Sequence, residues 1–532
     1  MTPSPVIAAL RAPADYASAV ADPSWRERLA WPLSPGDAYA IGRSRLSAIA
    51  RAVARMPQGD SRDLAIAVVG RAFVSTLPLV EQAHAVANEA RAGVRLEGSA
   101  AADFLRGESP APPASGFSAF KAFGSPSFPF LRALARIRSW TPLRRMPAAV
   151  MVPDAVAITH NELLREVARE DGLAIGFRHA EAIYAGVPRG DRLPAPVAEE
   201  AVEVLARAMV PDPGLDPAIA ERLALLVRSQ VATLVDYANL DIAAMRRVRR
   251  FPRHIWAGSG GYWPGRVIAI EAMRRGTRIS RFDHGHNRAL HDIVEFPATV
   301  DLLVADELVM PTARMARRFG AEALRPFLPE GRVVSVTGRR RNRDLDAFAR
   351  AMDSGARAAG RAGTVLYAPH ILRGQRQTVP ANLPDPVYLD WQLSLVAALV
   401  AADVPLMLRP HPQGIFAGRP HPVAAIHPTR TENFEALAAR ADVFLFDSPY
   451  SRVFCKALVT DRPIVYLDFG TPYFAADVEA LLRRRCSVLR VDTDDRHRPV
   501  LRHAELVDAL RSAAAPDRDA VGELRLLLVG EA

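Results

Sequence analysis

Lysine is almost missing from this chain: Lys121 and Lys456 are the only two among 532 residues. Cysteine is as scarce, with Cys455 and Cys486 alone. Two thiols cannot build a disulfide framework or a zinc cluster, so a reducing, cytoplasmic setting is expected. A run of about 20 apolar residues free of charge is also lacking, which argues against a membrane span. The longest apolar run, around Leu393 to Leu408, holds Asp403 and Pro405 and reads as a buried helix followed by a strand. Met1 to Val20 mixes prolines with Arg11 and Asp15 in an interrupted apolar pattern. It has neither the basic flank nor the unbroken apolar core of a secretory leader, so none is expected.

What is present is ordinary globular material. Hydrophobic residues make up 49% and charged residues 24%, which excludes disorder as the main state. A chain of 532 residues is too long for one core, so two or three domains are expected. The 68 basic residues against 58 acidic ones leave a net charge of +10, carried almost wholly by arginine. Such a surface suits nucleic acid, anionic lipid or a phosphorylated small molecule. No nucleic-acid module or aromatic-basic interleaving is present, so a nucleic-acid partner is not expected. The arginine clusters at Arg246 to Arg253, Arg339 to Arg343 and Arg483 to Arg485 read as solvated faces.

Residues 1–106 read as helical. Trp25 to Trp31, Ile41 to Met56 and Leu64 to Ala92 carry apolar residues at spacings of three and four. Residues 107–147 contain a Pro-, Gly- and Ser-rich linker. From 148 the texture alternates. Strands are expected at Ala148 to Val152, Ala155 to Ile158, His254 to Ala257, Thr277 to Phe282 and Leu302 to Val304. Helices are expected at Glu162 to Arg169 and Arg266 to Arg275. After Pro329 to Gly331 the alternation resumes with strands at Val333 to Thr337, Thr364 to Ala368, Pro405 to Leu408, Val443 to Phe446 and Ile464 to Leu467. Strands separated by helices imply parallel sheets. The fold class expected is therefore α/β: two Rossmann-like doubly wound domains, at 148–330 and 331–532, behind an N-terminal helical region.

In such sheets ligands bind past the carboxyl ends of the strands. In the second half three strand ends carry polar motifs. They are His370 after Tyr367-Ala368-Pro369, then Arg409-Pro410-His411-Pro412, then Asp447-Ser448-Pro449-Tyr450-Ser451 running into a helix from Arg452 to Leu458. Ser448 suits an N-cap and Pro449 a first helical position. A helix start of this kind attracts phosphate oxygens, Ser451 adds a hydroxyl, and Arg409 with His411 supplies cationic donors. Taken singly, each motif reads first as an ordinary turn or cap, and it is their joint order after successive strands that points to a site.

The order Arg409-Pro410-His411-Pro412, an Asp-Ser helix start, Ala457-Leu458 and Asp461-Arg462-Pro463-Ile464-Val465-Tyr466-Leu467 resembles the donor half of GT-B glycosyltransferases. It is most similar to those of capsule and teichoic-acid synthesis, the CDP-glycerol glycerophosphotransferases and the CMP-sialic acid or CMP-Kdo transferases. The resemblance covers roughly residues 364–470. It implies a GT-B fold, a CMP- or CDP-linked donor as co-substrate, no metal or other cofactor, and a glycan, lipid-linked or protein acceptor. His411, Ser451 and Ser448 would hold the donor phosphate. The sequence departs from that pattern in lacking an adjacent Ser-Ser pair. It also has Lys456 where many such enzymes carry a ribose-binding glutamate, so Lys456 is either part of a different nucleotide grip or a solvated helix residue.

In the first half, Ala257-Gly258-Ser259-Gly260-Gly261 and Phe282-Asp283-His284-Gly285-His286-Asn287 follow two expected strands. The glycines permit close approach of a ligand or tight packing, and their spacing is not a dinucleotide fingerprint. Asp283, His284 and His286 are candidate general bases for an acceptor hydroxyl. His284 and His286 are also candidate metal ligands, although zinc would need more from elsewhere. His160, within Thr159-His160-Asn161, is a further candidate base or simply part of a helix cap. Asp306-Glu307 is a fourth. The helical first hundred residues, with Trp25 and Trp31, suit packing, a homo-oligomer contact or a peripheral membrane contact. Transfer of a polyol phosphate and a non-catalytic scaffold of the same shape remain the competing expectations.

Overall fold

The computed structural model describes residues 10–113 and 154–531, apart from 160, 179, 181–182, 184–186, 188–190, 211–213, 249, 259, 262, 286, 354–362, 375–382 and 514. The strand expected at 148–152 and most of the 107–147 linker therefore lie outside the described residues, as do His160 and His286.

The N-terminal region is helical, as its periodicity predicts. Helix α1 (Pro35–Arg55) starts where the Ser34 side chain accepts from the Asp37 N–H and Pro35 takes the first turn. Helix α2 (Asp60–Ala92) ends at Gly93 in the left-handed conformation, φ 63°. Leu64, Val68, Val69, Ala72, Leu77 and Val80 on α2 are wholly buried. They pack against α1 and two later helices, α3 (Ala195–Met209) and α4 (Pro217–Met245). By length and composition α2 is the one helix among the described residues apolar enough to cross a membrane, and 67% of its most apolar window is buried inside the fold. Arg71 within it and the bundle around it mark it as a core helix. Two short strands, β1 (Arg11–Pro13) and β2 (Arg95–Glu97), pair in parallel beside the bundle.

Two larger sheets follow, both parallel throughout. The first contains β3 (Ala155–Ala157), β4 (Ile175–Phe177), β5 (His254–Ala257), β6 (Arg278–Phe282), β7 (Glu307–Met310) and β8 (Ser335–Gly338), in the order β4-β3-β5-β6-β7-β8. The second contains β9 (Val365–Tyr367), β10 (Leu406–Leu408), β11 (Val443–Phe446), β12 (Ile464–Asp468) and β13 (Ser487–Arg490), in the order β10-β9-β11-β12-β13. All four residues of β11 are buried, as parallel strands covered on both faces require. The architecture is thus Rossmann-like α/β.

Two assignments need correction. Ser335–Gly338, expected to open the second run, is the edge strand of the first sheet and pairs with β7. Leu302–Val304 is a 3₁₀ turn, and the strand is Glu307–Met310. Three apolar residues in a row do not distinguish a buried turn from a strand.

The C-terminal helix (Arg518–Leu528) returns to the first sheet. The Thr312 hydroxyl donates to the Leu527 carbonyl at 2.6 Å, and the Asn342 N–H donates to the Val529 carbonyl at 2.8 Å. The carboxyl ends of the two sheets also interlock. The Asp292 N–H donates to the Tyr473 carbonyl and the Ala475 N–H to the Leu290 carbonyl, while His291 and Tyr450 stack at 4.2 Å between ring centroids.

Candidate functional site

Strand order locates the crevice. In the second sheet β10 lies on one side of β9 and β11 on the other, so the winding direction reverses between β9 and β11. His370 follows β9 and Asp447 follows β11, so both stand at that reversal. The first sheet reverses between β3 and β5, where the Thr159 hydroxyl accepts from the Gly258 N–H at 2.7 Å.

Asp447 is 3% exposed. Its carboxylate accepts from Tyr367 Oη at 2.6 Å, Tyr388 Oη at 2.9 Å and Trp391 Nε1 at 3.2 Å. Burial pushes its pKa up, and these donors work in the opposite direction. A carboxylate held by three donors of its own chain is an anchor and not, as expected from sequence, a ligand contact. What it anchors is His370: Tyr388 Oη also accepts from the His370 N–H at 2.7 Å, and Ser448 Oγ lies 3.2 Å from His370 Nδ1. Burial, with Arg373 and His411 nearby, pushes His370 down to about 3, so its imidazole is neutral at physiological pH. A cavity of about 20 Å³, the size of a water site, lies against His370, Tyr388, Asp447 and Ser448.

Beside this anchor stands a group of cationic and imidazole side chains. His411 is half-buried, and its pKa is lowered by burial and by Arg409 and Arg373. The Gln413 N–H donates to His411 Nδ1 at 3.1 Å, so the neutral ring carries its proton on Nε2. Arg409 spends its Nε–H on the Glu432 carbonyl at 2.9 Å, and burial lowers its pKa. Arg373, which the motifs do not single out, has a buried Nε without a hydrogen-bond partner. Neither Arg373 nor Arg409 forms an ion pair among the described residues, whereas Arg246, Arg339 and Arg484 are paired with carboxylates. Pro412 closes the motif and is exposed in the loop after β10. Gly414 brings the loops after β9 and β10 together. At φ 101° a Cβ there would sit 2.3 Å from the Leu372 carbonyl, which accepts from the Ile415 N–H at 2.9 Å.

The serine segment differs in detail from expectation. The helix does run Arg452–Leu458, but its N-cap is Ser451, whose hydroxyl accepts from the Val453 N–H at 3.3 Å. Ser448 and Pro449 precede it, and Ser448 Oγ accepts from the Tyr450 N–H at 3.4 Å. Arg452 pairs with Glu162, at the start of the helix that follows β3, and with Asp344 at 2.8 Å. Lys456 is neither solvated nor open to a ribose. It is 5% exposed and pairs with Glu435 at 2.5 Å and Asp344 at 3.2 Å. Arg485, expected on a solvated face, is 2% exposed and donates to the carbonyls of Ala457, Leu458, Thr460 and Arg462. It thereby satisfies the last carbonyls of the Arg452–Leu458 helix.

Of the candidate bases, the structure separates Asp283 from His284. Asp283 is buried and pairs with Arg288 at 2.9 Å, and Arg288 pairs also with Asp301. That triad, with Asn161 Nδ2 donating to the Phe282 and Asp283 carbonyls, fixes the loop and leaves Asp283 unsuited to take a proton from solvent-side chemistry. His284 is exposed at the carboxyl end of β6. Gly260 serves packing: a Cβ there would meet the Val300 carbonyl at 2.4 Å. Asp306 and Glu307 lie at the amino end of β7, where Asp306 accepts from the Ile279 N–H and Glu307 from Ser280 Oγ, on the edge opposite the crevice. No cluster of three metal-ligating side chains occurs among the described residues. The chain matches no protein-family model, and no curated protein sequence is significantly similar to it.

Proposed function

We propose that this chain is a transferase using a nucleotide-activated donor, with the donor phosphates held at the winding reversal of the second sheet. The observation that carries this reading is the group formed by Arg373, Arg409 and His411, cationic and donor side chains gathered at strand carboxyl ends, where Asp385 and Glu435 act on the two arginines only from beyond ion-pair distance. Burial disfavours the charge of both arginines, the two together with burial lower the His411 pKa, and a polyanion relieves that cost. Arg409 and Arg373 would supply charge and His411 Nε2 a neutral donor, while the Asp447 anchor keeps the loops in register.

The resemblance to GT-B enzymes favours a sugar as the transferred group and CMP or CDP as the nucleotide. In that chemistry an acceptor hydroxyl oxygen bonds to the anomeric carbon as the bond to the donor phosphate oxygen breaks. The hydroxyl proton passes to a base, and the phosphate leaves with the electron pair. His284, exposed at the facing carboxyl edge of the first sheet, is the group proposed for that proton. The reaction class suits a surface glycan, lipid-linked or protein acceptor.

The test is calorimetric binding of CMP, CDP, UDP, GDP and NAD to the wild type and His411→Ala. Selective binding of a cytidine nucleotide, weakened at least tenfold by the substitution, supports the reading. Preference for UDP or GDP would keep the site and change the donor. No binding at millimolar concentration would sink the transferase reading in favour of a scaffold.

A further inference from the structure

One pocket lined mainly by apolar surface among the described residues is remote in its chemistry from the phosphate cluster. It has a volume of about 340 Å³ and lies between the N-terminal region and the loops after β9 and β10. That is the size range of small-molecule sites. Its walls are apolar and aromatic, with Tyr16, Trp31, Leu33, Pro78, Leu96 and Ile415. Its charged lining groups are Asp15, Glu81, Asp385 and Arg419, three carboxyls against one guanidinium.

Three of these four are already engaged. Asp15 accepts from the Ser18 N–H at 2.7 Å, and Asp385 accepts from the N–H groups of Arg373 and Gly374. Arg419 donates to the Ile415 carbonyl. Glu81 is different. It projects from α2, and its Oε1 is buried without a hydrogen-bond partner. Burial alone pushes this carboxyl up to about 8, with no neighbouring charge contributing. The residue as a whole is half-buried and lines the pocket.

An unsatisfied carboxyl in a lipophilic wall costs free energy that a donor can recover. An anionic ligand is disfavoured by the carboxyl excess, and a purely apolar one would leave the carboxyl without a charged partner. An ammonium ion meets both the carboxyl and the ring faces of Tyr16 and Trp31. We propose that this pocket binds an organic ammonium ion with an apolar body, its nitrogen on Glu81 and its body against Trp31 and Leu33. The inference does not rest on the transferase reading, since such binding needs no nucleotide.

The experiment titrates the full chain with three probes, benzylamine, hexylamine and cyclohexylamine, and with benzyl alcohol as the neutral control. Calorimetry in two buffers of different ionisation enthalpy counts protons. Because the ammonium must find Glu81 ionised, binding should release about 0.9 proton near pH 7. The affinity should rise about tenfold between pH 6 and 7 and level off above pH 8. Glu81→Gln should weaken the best amine at least tenfold, abolish the proton release and leave benzyl alcohol unaffected. Leu33→Trp, which fills the pocket without touching the carboxyl, should weaken every probe. Absence of binding by all three amines at about 10 mM, or amine binding unchanged in Glu81→Gln, would overturn the proposal.

Discussion

Glu81→Gln should make this protein more stable, and by an amount that grows with pH. The carboxyl has an ordinary value of 4.5 and is pushed up to about 8 in the fold. A raised value means that the native state binds the proton more tightly than the unfolded chain. The favourable contribution is therefore complete below about pH 4.5 and is lost as pH rises toward about 8. At about 1.4 kcal/mol per unit, the wild type gives up about 1 kcal/mol by pH 5, about 3 by pH 7 and about 5 by pH 9. Glutamine has the same shape and no charge to desolvate, so the variant escapes this loss. Thermal unfolding of both proteins from about pH 5 to pH 9 tests it. The variant's advantage in Tm should be several-fold larger at the alkaline end. An advantage that stays constant with pH, or a variant less stable throughout, would refute the account of Glu81 as an acid with a buried, unpartnered oxygen.

Two further substitutions probe the frame of the crevice. Arg288→Ala removes the guanidinium shared by buried Asp283 and Asp301, so it should cost about 3–5 kcal/mol, read as loss of folded protein in urea titration. Arg288→Lys should recover part of that. Gly414→Ala forces a Cβ into the Leu372 carbonyl at a left-handed φ, which should cost about 1–3 kcal/mol and weaken nucleotide binding by parting the two loops. A Gly414→Ala protein with unchanged Tm and unchanged affinity would contradict the geometry described for those loops.

Much of the fold is written locally in the chain. Val443–Phe446 and His254–Ala257 are strands with the bounds their apolar runs imply, and Arg452–Leu458 is a helix as its spacing implies. What is not local is harder to read. Ser335–Gly338 has an exposed, alternating edge pattern that carries no mark of which sheet it joins. Ser448-Pro449 and Ser451 both offer capping chemistry, and only tertiary packing selects the latter. Asp283 looks like a base because its partner, Arg288, is five residues on in an irregular loop, and Asp301 thirteen beyond that. Lys456 and Arg485 look solvated because charge in a helix normally is, while here Glu435, Asp344 and a set of carbonyls wait for them. Arg373 and Glu81 leave no signal at all. One sits in an irregular stretch after a motif, the other on a long helix where a glutamate usually faces water. Their significance lies in the partners they lack, and that is visible only in three dimensions.

The most direct test of the central claim compares CDP with cytidine on the wild type and on Arg409→Ala. If Arg373, Arg409 and His411 form a phosphate site, CDP should bind the wild type at least a hundredfold more tightly than cytidine. That gap should shrink at least tenfold in the variant, with cytidine affinity unchanged. Equal affinities for CDP and cytidine, or a gap untouched by the substitution, would contradict it.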